Sequence, residues 1–198
     1  MSEKRVLLIV SGGIAAYKAL ELVRLLKRQG VAVRAVMTKS AAEFVTPLSM
    51  GVMTEDQVYG DMFDLKEERE IGHIQLSRQA DLVVICPATA NILAKMAAGI
   101  ADDLATTILL ATDKPVLAVP AMNVRMWNHP ATQRNLGQLR ADDPAQQIAE
   151  RGPADPADGG ARNLLLAGVR IGHAGGEGNE RECREAGDNA AGGDTGCF

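Results

Sequence analysis

Apolar and polar positions alternate in blocks along the first two thirds of the chain. Val6 to Val10 is an apolar run behind Arg5, and it stops at Ser11-Gly12-Gly13. A β-branched run of that length ending in glycines predicts a buried strand and a tight turn. From Ile14 to Gln29, Leu22, Leu25 and Leu26 are interleaved with Glu21, Arg24, Lys27 and Arg28, and Gly30 follows. That spacing predicts an amphipathic helix stopped by glycine. Val31 to Met37 predicts the next strand. Strand, glycine turn, helix and strand in this order form a βαβ unit, which implies parallel strands and a right-handed crossover.

The pattern continues. Ser40 to Met50 predicts a helix, with Pro47 marking an irregularity. Val52 to Glu70 is mixed and acidic and gives no clear element. His73 to Arg78 predicts a short helix, Asp81 to Cys86 a strand, and Pro87 to Asn91 a loop opening a helix through Ala98. Ala105 to Ala111 and Thr132 to Arg140 predict further helices. Pro115 to Val119 predicts a fourth strand, ending at Pro120-Ala121-Met122-Asn123. The expected fold is α/β, a three-layer doubly wound parallel sheet of Rossmann-like type.

Past Arg140 the text changes. Gly, Ala, Asp, Glu and Arg dominate, and no lysine occurs after Lys114. Leu164 to Leu166 and Val169 to Ile171 are the remaining apolar clusters. The expected division is a domain over 1–140 and a divergent, loosely ordered tail over 141–198. A reading-frame change in a GC-rich gene would produce such a composition; resequencing the gene checks this.

Composition narrows the function classes. With 198 residues the chain suits one domain with an appended tail. A net charge of −4 without a basic run argues against nucleic acid as a partner. The apolar run at Val6 is too short for a signal segment or a membrane span. Cys86, Cys183 and Cys197 are odd in number and irregular in spacing, so neither a disulfide framework nor a zinc site is expected. The expected setting is the reducing cytoplasm.

Ser11-Gly12-Gly13, Thr38-Lys39-Ser40, Pro87 to Asn91 and Pro120 to Asn123 each follow a predicted strand. Ligands of open parallel sheets sit at the carboxyl ends of the strands. Glycines admit a phosphate close to the backbone, and helix N-termini offer free N–H groups. The same turns also read as ordinary caps. The glycine turn is not G-x-G-x-x-G and no P-loop lysine follows it, so dinucleotides and nucleoside triphosphates are disfavoured. His73 stands before a strand on the ligand-bearing edge, although a lone histidine is more often structural. His129, between Asn128 and Pro130, reads as a helix-opening residue, and His173 lies in the tail. No metal site is expected, since no two histidines share ligand spacing with an acid or cysteine. Cys86 reads as an inert buried thiol, and no G-x-S-x-G elbow supports serine hydrolysis.

Ser11-Gly-Gly-Ile-Ala-Ala-Tyr-Lys18, Gly72-His73, Pro87-Ala-Thr-Ala-Asn91 and Pro120-Ala-Met-Asn-Val-Arg-Met-Trp127 stand together in one order and spacing. In these motifs, over Lys4 to about Leu139, the chain resembles the homo-oligomeric flavin-containing cysteine decarboxylases. Within them it is most similar to the phosphopantothenoylcysteine decarboxylase branch of coenzyme A biosynthesis, the N-terminal half of a bifunctional bacterial flavoprotein. The resemblance implies FMN as cofactor, with Ser11, Gly12, Gly13, Thr38, Ser40, Thr89, Ala90, Asn91 and Ala121 as contacts. It implies catalytic roles for His73 and Asn123, and substrate contacts from Asn123 and Met126. The implied lyase reaction oxidises the cysteinyl thiol to a thioaldehyde, from which carbon dioxide leaves to give an enethiol. It also implies a homotrimer or a dodecamer built of trimers.

The chain departs from that branch in one respect. The branch carries a Gly-x-x-x-Cys-Gly flap motif whose cysteine helps reduce the enethiol, and Gly159 to Gly176 holds no cysteine. Cys183 and Cys197 are out of context. The expected consequence is decarboxylation with the final reductive step in doubt. Two alternatives keep the fold: a peptidyl-cysteine decarboxylase, which needs no such reduction, and a non-catalytic FMN-binding protein.

Overall fold

A computed structural model of the chain describes residues 4–60, 69–142 and 146–149; for 69–73 and 146 it describes the backbone alone. The chain divides into two units, Met1–Gly168 and Val169–Phe198, and every described residue belongs to the first. His173, Cys183, Cys197 and the apolar clusters at 164–166 and 169–171 lie outside the described residues.

Six strands are described: β1 (Arg5–Val10), β2 (Ala32–Met37), β3 (Val58–Tyr59), β4 (Leu82–Ala88), β5 (Val116–Pro120) and β6 (Gln146–Ile148). They form one all-parallel sheet in the order β3-β2-β1-β4-β5-β6. Strand order therefore runs outward from β1 to one edge, then resumes at β4 and runs to the other. This is the doubly wound, Rossmann-like arrangement expected from the sequence. The helices are α1 (Tyr17–Arg28), α2 (Lys39–Ala42), α3 (Pro47–Thr54), α4 (Arg69–Arg78), α5 (Ala90–Ala98), α6 (Leu104–Ala111), α7 (Val124–Trp127) and α8 (Pro130–Asp142).

Each central strand is buried on both faces, which is why its sequence is a continuous apolar run. Side chains alternate across the sheet. Leu7, Ile9, Val83, Ile85, Val116 and Ala118 join Ile92, Leu93, Ile108 and Leu136 of the helices in one core cluster. α1 buries Ala19, Leu22, Val23 and Leu26, the apolar stripe seen in the sequence, and packs on β2 and β4. No helix among the described residues is long and apolar enough to cross a membrane.

The structure differs from the pattern in several places. The helix expected over Ser40 to Met50 is two helices. Thr46 Oγ1 accepts a hydrogen bond from Ser49 N at 3.1 Å, and Pro47 takes the first helical position, where its missing N–H costs nothing. α4 starts at Arg69, ahead of His73. Val58–Tyr59 and Gln146–Ile148 are edge strands; the latter lies beyond Arg140 and pairs with Val116 to Ala118. Pro120 to Asn123 leads into a one-turn helix, α7, which the sequence pattern did not indicate.

Candidate functional site

The order of the sheet reverses between β1 and β4, so their following loops leave toward opposite faces and open a crevice at the carboxyl edge. One hydroxyl spans that crevice. Ser11 is buried; its Oγ donates to the Pro87 carbonyl at 2.6 Å and lies 3.2 Å from Thr89 Oγ1, while Thr89 N donates to Ser11 Oγ at 3.1 Å. With those partners Ser11 has little capacity left for a ligand, and its work is to fix the β1 and β4 loops against each other.

Gly12 and Gly13 follow. A Cβ on Gly12 would fall 2.2 Å from Ser40 Cβ and 2.7 Å from the Ser40 carbonyl carbon, so only glycine lets the β1 loop lie against the start of α2. On Gly13 a Cβ would meet only Thr89 Cγ2, at 3.7 Å. Thr38 holds the β2 end of the edge: its N–H donates to Val10 O at 3.0 Å, and its hydroxyl accepts from Ala41 N at 3.2 Å. Ser40, beside it, is exposed.

Thr89 caps α5, its Oγ1 accepting from Ile92 N at 3.4 Å. Ala90 and Asn91 are then the first helical residues, and their N–H groups have no partner within the helix. The N–H groups of Gly12 and Gly13 likewise have no acceptor among the described residues. Four uncommitted backbone donors thus sit on the loops flanking the crevice, where the dipole of α5 adds partial positive charge. This set fits a phosphate without any lysine. Ala121 follows β5 at the same edge. Its N–H is spent on Ala88 O at 3.0 Å, so it ties the β5 loop to β4 and has no N–H left for a ligand.

Asn123 caps α7, with Oδ1 accepting from Met126 N at 2.8 Å. Its Nδ2 has no partner among the described residues, so the side chain has both amide donors to offer a ligand. Met126 is exposed beside it, and Trp127 packs partly buried on the core cluster. His73 lies midway along α4; its side chain is outside the described residues.

Replacing Asn123 with aspartate keeps the capping oxygen and converts the donor into an anion. Asn123→Asp is therefore expected to unfold within about 1 kcal/mol of the parent, whereas Asn123→Ala loses a cap worth about 0.5–2 kcal/mol. Thermal melts of the two variants check this.

Cys86 ends the apolar part of β4 and is 4% exposed. Burial pushes its thiol up to about 12, with the positive charge of Lys18 pulling weakly the other way. The thiolate is the reactive form, so the native protein at pH 8 is expected to resist an alkylating reagent at Cys86, which should react once the chain unfolds. The sign for stability follows. A folded value above the usual 9.0 keeps this contribution intact below pH 9 and removes it as pH rises toward 12.

A cleft of about 410 Å³, lined by Asn123, Arg125, Met126, His129 and Thr132, lies along α7 and the start of α8. Arg125 and Thr132 were not singled out in the sequence, because on a helix they read as a solvated charge and a small polar residue. The spacing of Arg125 and His129, four residues apart, was the available signal.

The family model described as Flavoprotein matches residues 1–162. The chain belongs to the flavoprotein family. Over 139 residues this flavoprotein is 48% identical to the Coenzyme A biosynthesis bifunctional protein CoaBC of Vibrio vulnificus strain YJ016, covering 70% of the chain and 35% of that relative. It therefore spans well under two thirds of the curated relatives it matches. Its fold matches the FMN-dependent cysteine decarboxylase SpaF with a TM-score of 0.70 and 35% identity, covering 83% of the chain and 97% of SpaF. A PPC decarboxylase mutant complexed with pantothenoylaminoethenethiol matches at a TM-score of 0.66 and 39% identity, over 75% of the chain and 82% of that structure.

Proposed function

We propose that this flavoprotein binds FMN at the β1–β4 crevice and decarboxylates 4′-phosphopantothenoylcysteine toward 4′-phosphopantetheine, a carboxy-lyase step of coenzyme A biosynthesis. The observation that carries the reading is the set of uncommitted backbone donors of Gly12, Gly13, Ala90 and Asn91 at the same sheet edge as the spare amide of Asn123. The 48% identity to CoaBC and the match to a PPC decarboxylase support it.

FMN, when bound, supplies the oxidation of the substrate's cysteinyl thiol that makes carbon dioxide a leaving group. The chain supplies position. The four N–H groups hold the phosphate of the cofactor, with the Thr38 and Ser40 loop beside them. Asn123 Nδ2 donates to the substrate carboxylate or amide and fixes its pose, and Met126 packs against the substrate. His73 moves the proton near the thiol or carboxylate. Gly159 to Gly176 carries no cysteine to serve the final reduction, so enethiol is expected to accumulate over saturated product.

The test is direct. The purified protein should be yellow, should release FMN on denaturation, and should evolve carbon dioxide from the cysteinyl substrate. A colourless protein that rejects added FMN would sink the reading, and efficient formation of 4′-phosphopantetheine would overturn its enethiol part.

The missing cysteine favours a second reading, decarboxylation of a peptide's C-terminal cysteine. Competition between such a peptide and the phosphopantothenoyl substrate decides between them. For assembly, the proposal is a homotrimer or a dodecamer built of trimers, working in the cytoplasm. Ile14, Tyr17, Phe44, Leu48 and Val52 are exposed apolar side chains, available to a partner copy. Sedimentation should give a mass divisible into trimers; a monomer at micromolar concentration would count against it.

A further inference from the structure

We infer that the cleft between α7 and α8 is the subsite for the phosphate end of the substrate, with Arg125 and His129 as the residues that select a phosphorylated small molecule over a peptide. This rests on the decarboxylase reading above and specifies its substrate class.

Three observations carry it. Arg125 is exposed on the cleft and makes no ion pair or hydrogen bond with any described residue, so its guanidinium fork is available to a ligand. A guanidinium matches phosphate oxygens two at a time. His129 is held at the start of α8, and its Nδ1 accepts from Ala131 N at 3.2 Å. That bond leaves the ring proton on Nε2, so His129 presents an Nε2 donor. Thr132 is only 8% exposed, lines the same cleft, and its hydroxyl has no partner among the described residues. A buried hydroxyl without a partner is unusual unless a ligand or water completes it.

Hydrogen bonds join the two elements that carry these groups. Gln133 Nε2 donates to Trp127 O at 2.6 Å, His129 N to Met126 O at 3.3 Å, and Gln133 N to His129 O at 3.1 Å, which tie α7 to the first turn of α8. Among the described residues no carboxylate lines the cleft, so none of them opposes an anion there. Its volume falls in the range of small-molecule sites, enough for a phosphate with the arm that bears it. Asn123 stands in the same cleft. A substrate held by Asn123 at its cysteinyl end and by Arg125 and His129 at its phosphate end would lay its apolar middle on Met126.

The test uses the whole chain with FMN and two probes, 4′-phosphopantothenate and pantothenate, which differ only in the phosphate. Calorimetric titration should show the phosphorylated probe binding about 10- to 100-fold more tightly, the size expected for hydrogen bonds to a charged group. Arg125→Gln and Thr132→Val should each lower that ratio, and Arg125→Gln with His129→Phe should bring it close to one. Arg134→Gln, which removes the same charge from the exposed face of α8, should leave the ratio unchanged. Thermal melts of each variant identify any that fail to fold, and the exposed Arg125 is the least exposed to that risk. Equal affinity of the parent protein for the two probes, including no measurable binding of either, would overturn the subsite. So would a ratio that survives the double substitution, or a loss in Arg125→Gln that is equal for both probes, which would place the guanidinium on a carboxylate. Turnover is scored separately. A chain that prefers the phosphorylated probe yet releases no carbon dioxide keeps the subsite and loses the decarboxylase reading; a chain that decarboxylates and ignores the phosphate does the reverse.

Discussion

Replacing His73 with asparagine is expected to lower carbon dioxide release by about 10²- to 10⁴-fold, the usual worth of a positioned acid–base group, while the protein stays yellow. Asparagine is close to histidine in size and in helix propensity, so α4 should form unchanged. It keeps a hydrogen-bonding end but cannot carry a proton at neutral pH. None of the cradle's donors comes from α4; they come from the β1 and β4 loops. Cofactor content and turnover should therefore separate. The measurement is kcat alongside the flavin absorbance of the same preparation. Turnover within about threefold of the parent, against the factor expected for acid–base work, would remove His73 from the chemistry.

Gly12→Ala is expected to act the other way, on the cofactor and the fold together. The added methyl would sit 2.2 Å from Ser40 Cβ and 2.8 Å from Ser40 O, and Ser40 O belongs to backbone that cannot swing aside. Either the β1 loop or the start of α2 must move. Overpacking of this kind costs about 1–3 kcal/mol, and in a chain of this size each kcal/mol lowers Tm by about 2–4 °C. The larger effect should be on FMN, because the loop that moves carries two of the four uncommitted N–H groups. A drop in retained flavin of about tenfold corresponds to about 1.4 kcal/mol of binding. Full flavin occupancy with an unchanged melt would show that the contact with Ser40 is not needed. Gly13→Ala is the matched control, since its Cβ meets only Thr89 Cγ2 at 3.7 Å.

The central strands were legible for a physical reason. β1 and β4 are buried on both faces, so burial wrote itself into the runs Val6 to Val10 and Leu82 to Cys86. The edge strands left no such mark. Val58–Tyr59 and Gln146–Ile148 are held by pairing with Ala35–Val36 and Val116–Ala118, not by an apolar pattern of their own. The division of the second helix depended on Thr46 and Pro47 acting together as cap and first residue, where proline alone reads as a disturbance. In the site, motif resemblance located the loops but not what each group has to spare. Ser11 and Ala121 spend their donors on the protein, and Asn123 spends its oxygen. The cleft beside Asn123 left only the four-residue spacing of Arg125 and His129 in the sequence, because it exists only once α7 and α8 are brought together.

The hydroxyl of Ser11 joins two stretches of chain that are made at different times. Residues 4–60 build β1, β2 and β3, and residues 82–148 build β4, β5 and β6; β1 against β4 is the pairing that unites them. During synthesis the first stretch emerges with Gly12 and Gly13 in place but with neither Pro87 nor Thr89 to receive Ser11. The cradle is half made, and a cofactor meeting it then would find only two of its four donors. On the proposed reading, FMN held by all four donors would be captured only once the second half has docked, and the ligand would report finished assembly between the halves. Bound across that seam, it would favour the closed form over any opening there, and the cofactor would guard the junction of the two halves.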